Sequence, residues 1–297
     1  MPPWQEKRNR GRRPISFVKW AGSKSAVLDR LLPFFPAKFG TYYEPMVGSG
    51  SIFFTLRPSG VAVLGDLNEE LIHTYAVLRD HVEELIAALQ QHVNTYEHYL
   101  EVRALRPGDL PPVERAARLI YLNKTGYNGL YRVNAKGYFN VPYGRISHAN
   151  ICDSRTLREL APLLRNVRLC AGDYRMTVQQ ARTGDLVYLD PPYYPLPTTR
   201  ELFGRYQPQI FGKAEHHELA VIFRELDRRG CHVLLSNSDT DAVRALFAGY
   251  HIETLTVRRC IHWSPDKRAG YTELLITNGP AASSPGRRCA SGQQMRL

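Results

Sequence analysis

The sequence predicts an α/β fold with a mostly parallel sheet. Three observations predict it: short apolar runs that each end in a polar residue, helical patterns between those runs, and a glycine-bearing junction where a first strand gives way to a helix. Taken in order, residues 1–14 are basic and aperiodic and read as a flexible tail. Tyr42-Tyr43-Glu44-Pro45-Met46-Val47-Gly48-Ser49-Gly50-Ser51 is the strand-to-helix junction, whose glycines permit close approach of backbone to a ligand. The run 61–64 before Asp66 reads as a buried strand, and a helical pattern follows over 69–89. Further strands are predicted at 167–169 before Asp173, at 186–189 before Asp190 and at 233–235 before Ser236, with a helix over 216–228 and a last strand at 273–277. Residues 280–297, rich in Ser, Gly, Pro and Arg, read as a second tail. In such a sheet, ligands sit at the carboxyl ends of the strands.

Residues 84–149 break this rhythm. Helical material at 113–122 runs into the Gly-, Asn- and Tyr-rich stretch Thr125-Gly126-Tyr127-Asn128-Gly129-Leu130-Tyr131-Arg132, which suits neither a core strand nor a helix. The segment therefore reads as an insert within a catalytic domain made of residues 15–83 and 150–279.

Composition narrows the function class. A 297-residue chain with 43% hydrophobic residues can bury a large core. No apolar run approaches the roughly 20 residues needed to span a bilayer, and the arginine-rich start lacks the apolar segment of a signal peptide. A soluble, cytoplasmic protein is expected. The five cysteines, Cys152, Cys170, Cys231, Cys260 and Cys289, are scattered without a Cys-x-x-Cys pair, which suggests neither a disulfide framework nor a zinc site. No metal is expected. The net charge of +11 points to a polyanionic partner, and Lys124, Arg132, Lys136 and Arg145 fall in the stretch 123–145, which contains no acidic residue. Nucleic acid leads, which would place the protein at the nucleoid.

The sharpest motif is Asp190-Pro191-Pro192-Tyr193, directly after an apolar run. Two prolines remove two backbone donors and enforce an extended turn, leaving the preceding carbonyls and the Asp190 carboxylate free to accept hydrogen bonds. Two acceptors beside an aromatic ring suit a planar amine, held by the Asp190 carboxylate and the Pro191 carbonyl with Tyr193 stacked on the base. The glycine junction gains meaning from Asp66, which follows the next strand and could accept from ribose hydroxyls, so a nucleoside-containing ligand is implied.

On these motifs the chain resembles the Dam family of DNA adenine methyltransferases over nearly all of residues 17–278. The resemblance implies a Rossmann-like methyltransferase sheet carrying a mainly helical DNA-recognition insert with a β-hairpin loop, and S-adenosyl-L-methionine as cofactor. Phe17-Val18-Lys19-Trp20-Ala21-Gly22-Ser23-Lys24 resembles the family's amino-terminal cofactor motif and carries over Trp20, Gly22 and Lys24 as cofactor contacts. Glu44, Gly48 and Gly50 resemble its glycine loop, Asp66 its ribose-binding acid, and Asp173-Tyr174 the pair that holds the cofactor's adenine. Met46 stands where the family often has Phe. Tyr127-Asn128-Gly129-Leu130-Tyr131-Arg132 and Gly137-Tyr138-Phe139-Asn140-Val141-Pro142-Tyr143-Gly144-Arg145 look like the DNA-reading hairpin of GATC-specific members. The comparison implies that Tyr127 wedges into the duplex and that Arg132 reads one guanine and Lys19 the outer one. It also implies that Leu130 and Pro142 meet neighbouring bases, with Asn128 and Arg145 on the same surface. Ile146 replaces a frequent aromatic.

Downstream, Ser236-Asn237-Ser238-Asp239 is expected to shape the adenine pocket. Arg258, Arg259, Lys267 and Arg268 are candidate phosphate contacts, and residues 194–213 are expected to close over a flipped base. The expected activity is N6 methylation of adenine in double-stranded DNA, in GATC, with base flipping, by a monomer; another adenine site or an RNA adenine stands as the alternative. A dinucleotide-dependent dehydrogenase would share the sheet and the glycine turn but gives Asp-Pro-Pro-Tyr no role. A non-catalytic DNA-binding module explains the charge but not an intact Asp190, Pro191 and Tyr193. Glutamine-directed protein methyltransferases resemble this group yet usually carry Asn at the Asp190 position.

Overall fold

In the computed structural model, residues 16–194, 211–257 and 271–279 are described. Both expected tails, the candidate phosphate contacts Arg258, Arg259, Lys267 and Arg268, and residues 195–210 of the expected closing segment lie outside the described residues.

The sheet comprises β1 (Tyr42–Glu44), β2 (Ala62–Asp66), β3 (Val167–Ala171), β4 (Leu186–Leu189), β5 (His232–Ser238), β6 (His251–Val257) and β7 (Tyr271–Thr277), in the order β3-β2-β1-β4-β5-β7-β6. β1 to β5 pair in parallel, while β7 runs antiparallel to both β5 and β6. Strand order reverses between β1 and β4, so the crevice for a ligand opens beyond Glu44 and Leu189.

Why the central strands read as unbroken apolar runs is explained by their burial on both faces. On one face, Tyr42, Leu64, Leu186, Tyr188, Leu234 and Leu275 join a single apolar cluster; on the other, Tyr43, Val63, Val187, Leu189, Leu235 and Ile276 join a second. Ten helices appear among the described residues: α1 (Leu28–Leu31), α2 (Ser51–Leu56), α3 (Glu69–Asp80), α4 (Val82–Gln90), α5 (Tyr96–Ala104), α6 (Pro112–Thr125), α7 (Ser154–Leu160), α8 (Tyr174–Val178), α9 (Lys213–Arg228) and α10 (Asp241–Leu246). The first cluster takes α1 to α4, α6 and α7, and the second takes α8 to α10.

The single helix expected over 69–89 is two, broken at His81 (φ −138°, ψ 44°). Both α3 and α4 pack on α6, but beyond the break α4 also meets α7, whereas α3 lies on β2 and β3. Tertiary packing overrides a continuous local pattern there. Residue 84 lies inside α4, and Leu85, Ile86, Leu89, Ala116, Ala117 and Ile120 belong to the same cluster as the sheet residues. A smaller cluster of Tyr99, Val102, Tyr121, Leu122, Phe139 and Val141 supports the stretch after α6. That stretch folds back as a hairpin, held by bridges Gly126 to Tyr143 and Val133 to Phe139. Its tip is closed by Asn134 N donating to the Tyr138 carbonyl and Gly137 N donating to the Asn134 carbonyl, each at 2.9 Å.

Candidate active site

Asp190 is the first residue beyond β4. Its Oδ2 accepts from Lys24 Nζ at 2.6 Å, and the same ammonium donates to the Gly22 carbonyl at 2.6 Å and lies 4.9 Å from the centroid of the Tyr193 ring. Asp190 Oδ1, by contrast, is buried and has no hydrogen-bond partner among the described residues. Burial pushes the carboxyl up to about 6; Lys24 opposes that rise and Glu273 adds a little to it. The carboxyl is therefore mostly ionised at neutral pH, with one oxygen committed and one available.

The surroundings are rigid. The Tyr193 hydroxyl donates to Glu273 Oε2 on β7 at 2.9 Å. Asn237 Oδ1 accepts from Tyr194 N at 2.9 Å, and Ser238 Oγ donates to the Tyr194 carbonyl at 2.8 Å, so the end of β5 fixes the chain just after the motif. Ser236 Oγ pairs with the Tyr188 hydroxyl at 2.7 Å.

On the other side of the crevice the chain turns from β1 into α2 through Gly48 (φ +49°) and Gly50 (φ +67°). A Cβ on Gly48 would lie 2.8 Å from Trp20 Cδ1, and one on Gly50 would lie 2.5 Å from the Tyr75 hydroxyl, so both backbone angle and space demand glycine. Asp66 braces this loop: Oδ2 accepts from Gly48 N at 3.0 Å and Oδ1 from Asn68 N at 2.9 Å. Lys24 N donates to Ser51 Oγ at 3.2 Å, which brings the 22–24 turn to the start of α2. Glu44 sits beneath, its Oε2 accepting from the Tyr42 hydroxyl at 2.8 Å and from Phe53 N at 3.2 Å. Burial raises its carboxyl to about 8, so it is protonated at neutral pH and supports the loop from inside. Contacts thus join Trp20 to Gly48 and Gly48 to Asp66, and Lys24 to Gly22 and to Asp190, from which 166 positions separate it.

The family model that matches residues 20–261 is described as D12 class N6 adenine-specific DNA methyltransferase. The chain belongs to this family. It is 36% identical over 270 residues to the Type II methyltransferase M1.LlaDCHI of Lactococcus lactis subsp. cremoris, covering 88% of this chain and 94% of that one. The Type II methyltransferase M.MjaIII of Methanocaldococcus jannaschii is 36% identical over 284 residues, covering 88% and 98%. The DNA adenine methylase of Escherichia coli K12 is 32% identical over 277 residues, covering 92% and 98%. As an adenine-specific DNA methyltransferase it acts on DNA and draws on a methyl donor.

In this adenine methyltransferase, Asp173 and Tyr174 follow β3, the strand paired with β2 and Asp66. Gly172 N donates to the Asp66 carbonyl at 2.9 Å, but the Asp173 carboxylate caps α8 through Arg175 N (2.8 Å) and pairs with the Arg175 guanidinium at 2.8 and 2.7 Å. That pairing holds its carboxyl below the usual range. Tyr174 is buried, 6.3 Å from the Phe211 ring, with no partner for its hydroxyl among the described residues.

The hairpin gathers the expected DNA-facing residues. Tyr127 is 52% exposed, Asn128 adopts a left-handed conformation (φ 55°), and Pro142, Arg145 and Lys19 are exposed, with Leu130 half-buried. Arg132 is held along the hairpin, its Nε donating to Asn140 Oδ1 at 2.6 Å and its Nη2 to the Asn140 carbonyl at 3.0 Å. From the sequence no individual role was assigned to Glu273 or Asn123, nor to Asn140 and Tyr131 beyond their place in the hairpin motif. Tyr131 stacks on Trp20, centroids 5.7 Å apart at 27°. Asn123 is 3% exposed, and a lone amide ending the apolar run 119–122 was the available signal.

No helix among the described residues is long and apolar enough to cross a membrane, and no group of three or more His, Cys, Asp or Glu side chains among them is placed to hold a metal. Cys152, Cys170 and Cys231 are free thiols.

Proposed function

We propose that this chain methylates N6 of adenine in GATC within duplex DNA, using S-adenosyl-L-methionine, with residues 84–149 as the DNA-recognition insert. The observation that carries the reading is the orphaned Asp190 Oδ1, buried beside Pro191 at the carboxyl end of β4. A buried acceptor without a partner is costly unless a ligand supplies the donor. The exocyclic amine of adenine is such a donor: one N–H to Asp190 Oδ1 and the other to the Pro191 carbonyl would draw the nitrogen lone pair out of conjugation. The Tyr193 ring, fixed by Glu273 and flanked by Lys24, offers a stacking wall.

The residues around the glycine turn fit S-adenosyl-L-methionine. Gly48 and Gly50 leave bare backbone where any side chain would collide, Asp66 offers acceptors for ribose hydroxyls, and Trp20 borders the cradle. When bound, this cofactor supplies an electrophilic methyl group. Asp190, with its carboxyl near 6, orients the amine while ionised and takes up the proton that the methylated nitrogen sheds. Because the target adenine is stacked inside a duplex, it must be extruded to reach Asp190, and exposed Tyr127 is the ring placed to fill the vacated stack. Arg132 and Lys19 read the guanines, and Leu130, Pro142, Asn128 and Arg145 form the surrounding surface.

Methylation-sensitive sequencing of DNA from cells expressing the chain tests this. N6-methyladenine confined to GATC, and absent with Asp190→Ala, is the expected result; methylation at an unrelated adenine site, or in RNA alone, would overturn the sequence assignment.

A further inference from the structure

Asn123 closes the last turns of α6 with its side chain turned inward. Its Oδ1 accepts from Lys19 N at 2.8 Å while its Nδ2 donates to Lys19 O at 2.8 Å and to Gly129 O at 2.9 Å. Three of the four hydrogen bonds the amide can form are thus made, and exchanging its oxygen and nitrogen would set donors against a donor. The amide acts on residue 19 as a neighbouring strand would, with both backbone groups of one residue engaged. It also holds the turn that opens the hairpin.

Two further contacts join the same segments. A Cβ added at Gly129 would lie 2.6 Å from both Cβ and Cδ of Lys19, so the lysine stem lies directly on the hairpin turn. One residue on, Trp20 touches the glycine loop at Gly48 and stacks on Tyr131. Residues 19 and 20 therefore bridge the two halves of the site: Trp20 faces the donor cradle, Lys19 faces the duplex, and Asn123 fixes the backbone they share.

We propose that Asn123 is a positioning residue that couples methyl-donor binding to duplex reading by tying residues 19–20 to the hairpin turn. The proposal rests on the reading above of the cradle as a donor site and of the hairpin as a duplex reader. A donor that orders Trp20 orders Lys19 through their common backbone, and the amide passes that order to residues 129–132. The duplex then binds a hairpin already arranged. By linkage the same factor applies in reverse.

The test is a binding cycle on the full chain. A labelled GATC duplex is titrated with and without saturating S-adenosylhomocysteine, and S-adenosylhomocysteine with and without the duplex. In the wild type each ligand should tighten the other on the order of tenfold. In Asn123→Ala that factor should fall below about twofold. Asn123→Ser, whose hydroxyl can serve only part of the network in a smaller side chain, is read in parallel in case the alanine variant does not fold, as judged by thermal melting. A residue with a merely structural role would weaken both ligands while leaving the coupling factor intact, and that result overturns the proposal. So does a wild-type factor of one with both ligands bound. If the wild type binds neither S-adenosylhomocysteine nor the duplex, the functional reading itself fails, and this inference with it.

Discussion

Replacing Lys24 by Met should move the acid limb of the methylation rate upward in pH. Lys24 is the strongest influence opposing the burial of Asp190, whose carboxyl rests at about 6, and it does so from 2.6 Å. With the side chains of the pair only 4% and 17% exposed, water has little room to take over the ammonium's role. An adjacent opposite charge lowers a carboxyl by about 1–3 pH units, and this geometry belongs in the upper half of that range. The sign follows from the chemistry: the ionised carboxylate orients the amine, so activity is lost as pH falls through the carboxyl's midpoint. In the wild type that loss should centre near 6, leaving Asp190 about nine-tenths ionised at neutral pH. A rise of about 2 pH units would leave roughly one-tenth ionised there, a tenfold slower reaction that recovers in alkaline buffer. Single-turnover rates at saturating donor, measured over about pH 5–10, read this directly and set aside any loss of donor affinity. Lys24→Arg, which keeps the charge, should shift the limb less. A Lys24→Met variant whose rate falls equally at every pH, or whose limb moves downward, would refute the assignment of Lys24 as the group that keeps Asp190 ionised.

Asp66→Ala removes two acceptors from beneath the glycine turn, and calorimetry should find S-adenosyl-L-methionine binding weakened by about 1–3 kcal/mol; unchanged affinity would count against the ribose assignment. Arg132→Ala should lose roughly 1–3 kcal/mol of discrimination at one base pair, read by competition between GATC and single-mismatch duplexes. Equal slowing on every duplex would instead make Arg132 a general contact. Tyr193→Phe keeps the ring but frees Glu273, so turnover should fall several-fold while Tyr193→Ala falls much further, a difference that equal losses in a steady-state assay would dismiss.

How far the sequence was legible depended on whether the signal was local. β2, β4 and β5 were readable because each is buried on both faces and written as a continuous apolar run. β6, a polar-alternating strand at the sheet edge, was not read, since only its pairing with β7 distinguishes His251–Val257 from a loop. Asp190-Pro191-Pro192-Tyr193 announced itself because proline acts on its own neighbours. The Lys24 to Asp190 bond and the Tyr193 to Glu273 bond left no trace, spanning 166 and 80 positions. The family likeness singled out Arg132 as a candidate base reader, but its hold on Asn140 was not legible, because that contact requires the hairpin to be folded.

The distribution of hydrogen bonds over Asp190 explains why its neighbours must be so distant in sequence. An isolated carboxylate at the end of a buried strand would take up a proton and could not accept from two N–H groups at neutral pH. Residues 190–194, Asp-Pro-Pro-Tyr-Tyr, contain no lysine that could supply that charge. Lys24 comes instead from a turn anchored on α2 through Ser51, with its ammonium fastened a second time to the Gly22 carbonyl. The same short segment, residues 19–24, carries Trp20 against Gly48 and the Lys19 backbone against Asn123. The proposed donor cradle, the ionised state of Asp190 and the placement of the hairpin are thereby set by one stretch of backbone. A displacement of that stretch disturbs all three together, so substitutions that loosen it should affect rate, donor affinity and duplex discrimination jointly, whereas those confined to the hairpin tip should touch discrimination alone.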